Sequence, residues 1–421
     1  MFTTHTLKNG MRVIVAPLRD TKAVTLLVLV KVGSRFEARN INGISHFVEH
    51  LMFKGTTKRP TALKITRELD GIGAEYNAFT SKDVTGYYIK AHIDKLPLLL
   101  DMLSDMLQHS IFDPKEIERE RGVIIEEINM YEDNPLMMME DVFEQTVWGD
   151  HPLGWNIAGP KSVIQKVTRQ QLLDYYNTYY RPTNMLVAVS GNVSETVVDD
   201  ISRHFARGTS QKKSYSFRAV PPVQREPHVM VKKKDTEQIQ LGLGFPAYPH
   251  GHKDLYPLYL LNVIMGGNMS SRLFMSIREK KGLCYFIRTS VNPYEDTGIF
   301  MVQAGLDKSR IDEAVTAILE ELNKVKVAGI TSAELKKARE FIKGKLILDL
   351  EASDEVASWL ARQMLFEKKV KTPAEMIERL EKVTIADIKR VARDVIRRDR
   401  INLALIGPLD SAERFSRLLK V

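Results

Sequence analysis

The chain has one cysteine, Cys284, among 421 residues, so no intrachain disulfide can form. That fits a reducing compartment and excludes a disulfide-stapled secreted scaffold. Long apolar runs are missing too. The most hydrophobic stretch, AVTLLVLV from Ala23 to Val30, is eight residues long, whereas a membrane helix needs about 20. No membrane span is expected. The first residues, MFTTHTLKNGMRVIVAP, show no basic segment leading into a long apolar one and read as strand, turn, strand, so a cytoplasmic protein is the simplest expectation. The net charge is +8, but it is spread along the chain, and its one tight run, Lys232-Lys233-Lys234, is short. Without a basic stripe interleaved with aromatics, no nucleic-acid partner is expected. What remains is ordinary for a globular protein: 44% hydrophobic and 27% charged residues, enough for two or three domains with sizeable cores.

The chain repeats itself. VTRQQLLDYYNTYYRPTNMLVAVSGNV (Val167 to Val193) and VTIADIKRVARDVIRRDRINLALIGPL (Val383 to Leu409) each read as amphipathic helix, Arg-containing turn and apolar strand ending near Gly, at an offset of 216 residues. Asp113-Pro-Lys-Glu-Ile and Thr331-Ser-Ala-Glu-Leu repeat at 218. Two matches at nearly one offset imply two similar halves, 1–210 and 227–421, joined by a linker at 211–226 near clustered prolines. Within the first half, Arg12–Ala16, Val24–Val32 and Thr85–Ile93 read as strands. Leu96–His109, Pro114–Tyr131 and Gln170–Tyr180 carry helical periodicity. Strands grouped with long helices between them predict an α+β fold, each half a mostly antiparallel sheet covered by helices on one face.

The chemistry gathers in His46-Phe47-Val48-Glu49-His50. With Asn42 as cap and Gly55 as stop, His46, Glu49, His50 and Phe53 share one helical face. Two imidazoles one turn apart can grip a Zn²⁺, and the carboxylate between them can take a proton from water. Given 10 His and 53 Asp or Glu, random placement yields this pattern roughly 3% of the time, and a pair of surface histidines beside a solvated Glu is the bland alternative. The helix opened by Asp113 and Pro114 offers a third ligand. Ile117, Val123, Ile124, Ile125 and Ile128 form its apolar stripe. Glu126 points away from that stripe, whereas Glu120 and Glu127 lie on its flank, roughly 20° apart. Glu127 can complete a His, His, Glu site with Glu120 behind it. Spacing alone leaves open that both merely edge a salt-bridged helix face.

HFVEHLMFKGT followed by RERGVIIEEINMYEDNP strongly resembles the M16 metallopeptidases, the pitrilysin and insulin-degrading enzyme superfamily. The resemblance spans essentially the whole chain and is nearest to the short branch containing mitochondrial processing peptidase and its bacterial homologues. It implies that His46, His50 and Glu127 bind zinc, that Glu49 is the base, and that Glu120 matters for activity. GAEYNAFTSKDVTGYY resembles the family's edge strand that pairs with substrate backbone, which implies contacts at Asn77, Ala78 and Phe79. MGGNMSSRLFMSIREKKGLCYFIRT resembles the second half's substrate-binding signature, which implies roles for Arg278 and Tyr285 on the substrate or oxyanion; by composition alone they read as a surface charge and a core aromatic. Cys284 reads as a packed side chain rather than a nucleophile.

Moved by 216 residues, His46, Glu49 and His50 fall on Asn262, Met265 and Gly266, and Glu127 moved by 218 falls on Lys345. The second half keeps none of the ligands, so one zinc per chain is expected. The reading is a zinc endopeptidase that cleaves extended or unfolded peptides within a closed chamber. Its alternative is a non-catalytic structural or substrate-binding subunit, and the complete His, Glu, His, Glu set argues against that. By the same resemblance the partner is a second copy of the chain, or a related subunit in a heterodimer; the absence of a transit-like leader makes a bacterial or archaeal cytoplasm the expected setting.

Overall fold

In the computed structural model, residues 2–208, 215–220 and 224–419 are described. The chain forms two compact units that are not contiguous in sequence. Unit 1 gathers Met1–Asn129, Asn156–Arg218 and Ile347–Val370; unit 2 gathers Met130–Trp155, Ala219–Leu346 and Lys371–Val421.

Unit 1 is built on a six-stranded sheet of β1 (Thr3–Thr6), β2 (Arg12–Pro17), β3 (Ala23–Val30), β4 (Glu75–Thr80), β5 (Thr85–His92) and β6 (Met185–Gly191), in the order β1-β2-β6-β3-β5-β4. Only β2 and β6 run parallel. Unit 2 holds β7 (His228–Lys233), β8 (Gln238–Ala247), β9 (Cys284–Pro293), β10 (Gly298–Asp307) and β11 (Asn402–Gly407), in the order β7-β11-β8-β10-β9. Again a single parallel pair, β7 with β11, is followed by antiparallel ones. The second sheet thus repeats β2-β6-β3-β5-β4. The expected α+β fold with two homologous, mostly antiparallel halves is borne out.

Alternation along the strands shows how each sheet is covered. On one face of unit 1, Val13, Val15, Leu26, Val28, Val187 and Val189 pack under α1 (Ile44–Leu51), α2 (Ala62–Asp70), α3 (Leu96–His109) and α4 (Pro114–Asp133). Ile14, Ala16, Leu27, Leu29, Leu186 and Ala188 point the other way, onto Val356, Ala357, Leu360 and Ala361 of the helix Ser353–Phe366. That helix comes from the far half of the sequence. Reciprocally, Met138, Met139, Val142 and Phe143 of α5 (Pro135–Trp148) pack against Ile299, Met301, Ala404 and Ile406 in unit 2. One helix of each half therefore lies on the other half's sheet, a feature the sequence pattern did not disclose. Burying both faces explains why β3 reads as a nearly continuous apolar run, broken only by the buried Thr25, rather than an alternating one.

The expected linker at 211–226 falls partly outside the described residues, at 211–214 and 221–223. Its described start is tied to unit 1: the Tyr215 hydroxyl donates to the Thr178 carbonyl (2.8 Å), and the Phe217 ring lies 3.9 Å from the buried Arg35 guanidinium. No helix among the described residues is long and apolar enough to cross a membrane.

Candidate metal centre

Helix α1 is eight residues long, too short to hold itself in water. Ile44, Phe47, Val48 and Leu51 fix it by inserting one face into the core. His46, Glu49 and His50 then occupy the opposite face. The helix starts at Gly43 rather than Asn42, with Gly43 at φ 99°, a conformation open to Gly at little cost. Having no side chain, Gly43 cannot cap the helix. The buried Glu37 carboxylate does so from six residues upstream, accepting from Gly43 N (2.7 Å), Ser45 N (2.8 Å), Ser45 Oγ (2.6 Å) and Asn42 Nδ2 (2.9 Å). Burial pushes the Glu37 carboxyl up to about 7 against those four donors. Asn42 thus serves Glu37 and the Asn156 carbonyl. The helix ends at Leu51, before the expected stop at Gly55, and Phe53 packs instead near Tyr76 and Tyr87.

Helix α4 begins as its cap signature predicts, with Lys115 N and Glu116 N donating to Asp113 Oδ1. Its apolar stripe is narrower than expected. Ile117, Ile124 and Ile128 are buried, but Val123 is exposed. Glu126 faces solvent, Glu120 is buried, and Glu127 reaches the two histidines.

The two Nε2 atoms of His46 and His50 lie 3.2 Å apart, and Glu127 Oε2 lies 3.6 and 3.5 Å from them. Among the described residues this is the single cluster of three or more His, Cys, Asp or Glu donors that could hold a metal ion. Zinc bonds of 2.0–2.2 Å in a tetrahedron separate neighbouring donors by roughly 3.3–3.5 Å. The observed spacings match, so the residues fit a Zn²⁺. His50 Nδ1 is held by Glu120 Oε2 (3.1 Å), whose other oxygen meets Lys54 Nζ (2.8 Å). Such carboxylate–imidazole pairing fixes the ring and leaves Nε2 facing the metal.

The electrostatics match crowded donors. Burial pushes His46 down to about 4, helped by His50 and opposed by Glu127. Burial also works against a charged His50, but the hydrogen bonds to Glu120 and Glu127 outweigh it and lift His50 to about 9. Glu127 is lowered by the hydrogen bond from His50 against a smaller effect of burial. Glu49 is raised by burial, partly offset by the hydroxyl of Thr80, which donates to Oε2 at 2.8 Å. Burial would raise Glu120, and His50 and Lys54 together bring it below its usual range. A carboxylate raised in this way is a better proton acceptor than a solvated one.

The other candidate residues, Arg278 excepted, sit on edge strands. Asn77, Ala78 and Phe79 lie on β4, which pairs on one side only, with β5. The Ala78 N–H is engaged by its neighbour, Asn77 Oδ1 (2.9 Å). Phe79 turns its ring away from α1 and packs with the helix Ser353–Phe366, under the Arg362 guanidinium at 5.3 Å. Arg278 stands in the π-helical stretch Phe274–Lys280, its guanidinium 4.7 Å from the Phe274 ring and 5.9 Å from the Tyr285 ring. Tyr285, on the edge strand β9, is 74% exposed. Cys284 is half-buried, and burial raises its thiol to about 11, far from a nucleophile's range. Glu37 and Thr80 escaped sequence reasoning, because nothing in the spacing shows that either side chain reaches α1.

The profile described as "Insulinase (Peptidase family M16)" matches residues 12–161, and the one described as "Peptidase M16 inactive domain" matches 166–342. The uncharacterized zinc protease YmxG of Bacillus subtilis is 36% identical, over 97% of this chain and 98% of its own length. An uncharacterized zinc protease of Streptomyces coelicolor, SCO5738, is 34% identical, over 96% and 89%. Among solved structures, a protease from Helicobacter pylori superposes with a TM-score of 0.91 at 27% identity, over 97% of this chain and 99% of that one. A Pseudomonas fluorescens structure described as a peptidase M16 inactive domain superposes at 0.88 over 97% and 99%, and at 18% identity it shows the fold alone. With the fold, the donor cluster and these full-length relatives in agreement, the chain belongs to peptidase family M16, the insulinase family.

Proposed function

We propose that the chain is a zinc endopeptidase acting on extended or unfolded peptides, with one zinc per chain. The observation that carries this is the convergence of His46 Nε2, His50 Nε2 and Glu127 Oε2 at tetrahedral spacing, with the half-buried Glu49 carboxylate on the same helix face. His46, His50 and Glu127 would hold the ion, and when bound it supplies Lewis acidity toward a peptide carbonyl and water. Glu49 takes a proton from the attacking water and returns it to the leaving amine. Glu120 holds the His50 ring in place through Nδ1.

Peptide recognition follows from the open edge of β4, where main-chain hydrogen bonds along Asn77, Ala78 and Phe79 would add the substrate as a further strand. Arg278 and Tyr285, paired in unit 2, are the proposed substrate contacts of the second half. The helix Leu255–Met265 has no His, Cys, Asp or Glu, which supports a division between a metal-binding half at 1–210 and a metal-free half at 227–421. The profile named as an inactive domain, at 166–342, covers much of that second half and lies wholly beyond the donor cluster. By the resemblance to the short members of the family, the partner is a second copy of the chain enclosing a chamber, and the single cysteine fits a reducing, cytoplasmic setting.

Purified protein should carry about one zinc per chain by elemental analysis and cleave an unfolded polypeptide. Chelation should abolish cleavage, and added Zn²⁺ should restore it. A zinc-loaded wild type that leaves every unfolded substrate intact would favour the non-catalytic reading.

A further inference from the structure

Glu49 has a single side-chain hydrogen-bond partner among the described residues, the Thr80 hydroxyl, which donates to Oε2 at 2.8 Å. The other carboxylate oxygen is left to exchange a proton with water. Thr80 is the last residue of β4, and it shares a strand face with Tyr76 and Ala78, which pack toward the core cluster holding α1. Its backbone is pinned from several directions. Thr80 pairs with Thr85 on β5, and the Thr85 hydroxyl is anchored on the Val32 carbonyl at 2.8 Å. The preceding Phe79 ring fills the space over Gly86, where a Cβ would come within 2.4 Å of it, and Arg362 lies across that ring. A β-branched side chain is restricted at χ1, and on so fixed a strand few directions remain open to it. The hydroxyl's position is therefore set by the sheet, and it in turn sets the carboxylate.

We propose that Thr80 is a positioning residue for the base: its hydroxyl orients Glu49 and ties the base to the edge strand that seats the substrate. This rests on the peptidase reading above. Its consequence is that the peptide backbone and the proton acceptor are registered to one rigid element, so that base and scissile bond keep their separation whichever side chains the peptide carries.

The experiment compares Thr80→Val and Thr80→Ser with the wild type on one peptide, measuring kcat, KM, zinc content and melting temperature. Thr80→Val, which keeps the shape and loses the hydroxyl, should lower kcat roughly 10- to 100-fold, the usual size of a supporting-residue effect. KM, zinc content and melting temperature should hold, and Thr80→Ser should restore most of the rate. A Thr80→Val enzyme with wild-type kcat overturns the inference while leaving the peptidase reading intact. So does a loss confined to KM, to zinc or to stability, or a Thr80→Ser variant as slow as the valine one. A zinc-loaded wild type that cleaves nothing removes the peptidase reading, and this assignment with it.

Discussion

Two helices occupy corresponding places in the repeated topology: α1 between β3 and β4, and Leu255–Met265 between β8 and β9. In α1 only Ile44, Ser45, Phe47, Val48 and Leu51 are buried, and the remaining face carries His46, Glu49 and His50. In the second helix Leu255, Pro257, Leu258, Leu260, Leu261, Val263, Ile264 and Met265 are all buried. Only Tyr256, Tyr259 and Asn262 are partly exposed, and a helix apolar on nearly every side is committed to packing. The position 216 residues beyond His50, Gly266, lies so close to the β9 backbone that a Cβ would come within 2.7 Å of Thr289 N. The second half has thus filled the place where a site would stand. The same sheet carries a cluster of possible metal donors in one copy and only packing in the other, so what differs between the halves is the side chains of one helix face and not the fold.

The sharpest way to break this contrast is Glu49→Gln, which should cut kcat by about 10²- to 10⁴-fold, the range of general-base catalysis. Zinc content should stay at the wild-type level, and cleavage that persists would remove Glu49 as the base. Next, Glu127→Gln should weaken zinc retention by more than about 100-fold, beyond the range of supporting residues, while the solvent-facing Glu126→Gln should leave it unchanged. Equal losses in metal titration would undo the helix-face assignment. Glu120→Gln, acting through His50, should cost roughly 10- to 100-fold in zinc affinity.

Acidity gives two smaller effects. His50 is lifted to about 9 in the metal-free cluster, so zinc must displace its proton. Affinity should rise with pH up to about 9, on the order of tenfold per unit for one proton displaced. Calorimetry in buffers of different ionisation enthalpy should count that proton, and a pH-independent affinity would contradict the arrangement. In unit 2 the smallest effect is expected. The Arg272 guanidinium holds Glu334 down to about 2 from an ordinary 4.5. A depressed carboxylate stabilises the fold above 4.5, and that contribution fades as pH falls toward about 2. Glu334→Gln should therefore lower urea resistance at pH 7 and match the wild type near pH 2, without touching zinc.

Much of the centre was legible because it is local. HFVEH places three side chains on one helical face through i, i+3 and i+4 spacing, and the cap at Asp113 sets the phase of α4 well enough to separate Glu127 from Glu126. Val123 shows the limit: helical phase placed it in the apolar stripe, yet it is exposed, since the width of a buried face depends on what packs against it. Glu37 and Thr80 were illegible for a related reason. A carboxylate six residues upstream capping α1, or a hydroxyl meeting the Glu49 carboxylate 31 residues away, leaves no periodic trace.

The sequence by itself determined the duplication, the α+β elements, the shared helical face of His46, Glu49 and His50 and the blank counterpart, because each is written in short-range spacing or in internal comparison. Tertiary structure alone decided that each half's sheet takes one helix from the other half, and that Glu37 and Thr80 reach the site. Those contacts join residues far apart in the chain, and an apolar strand or a polar side chain looks the same whichever partner it meets.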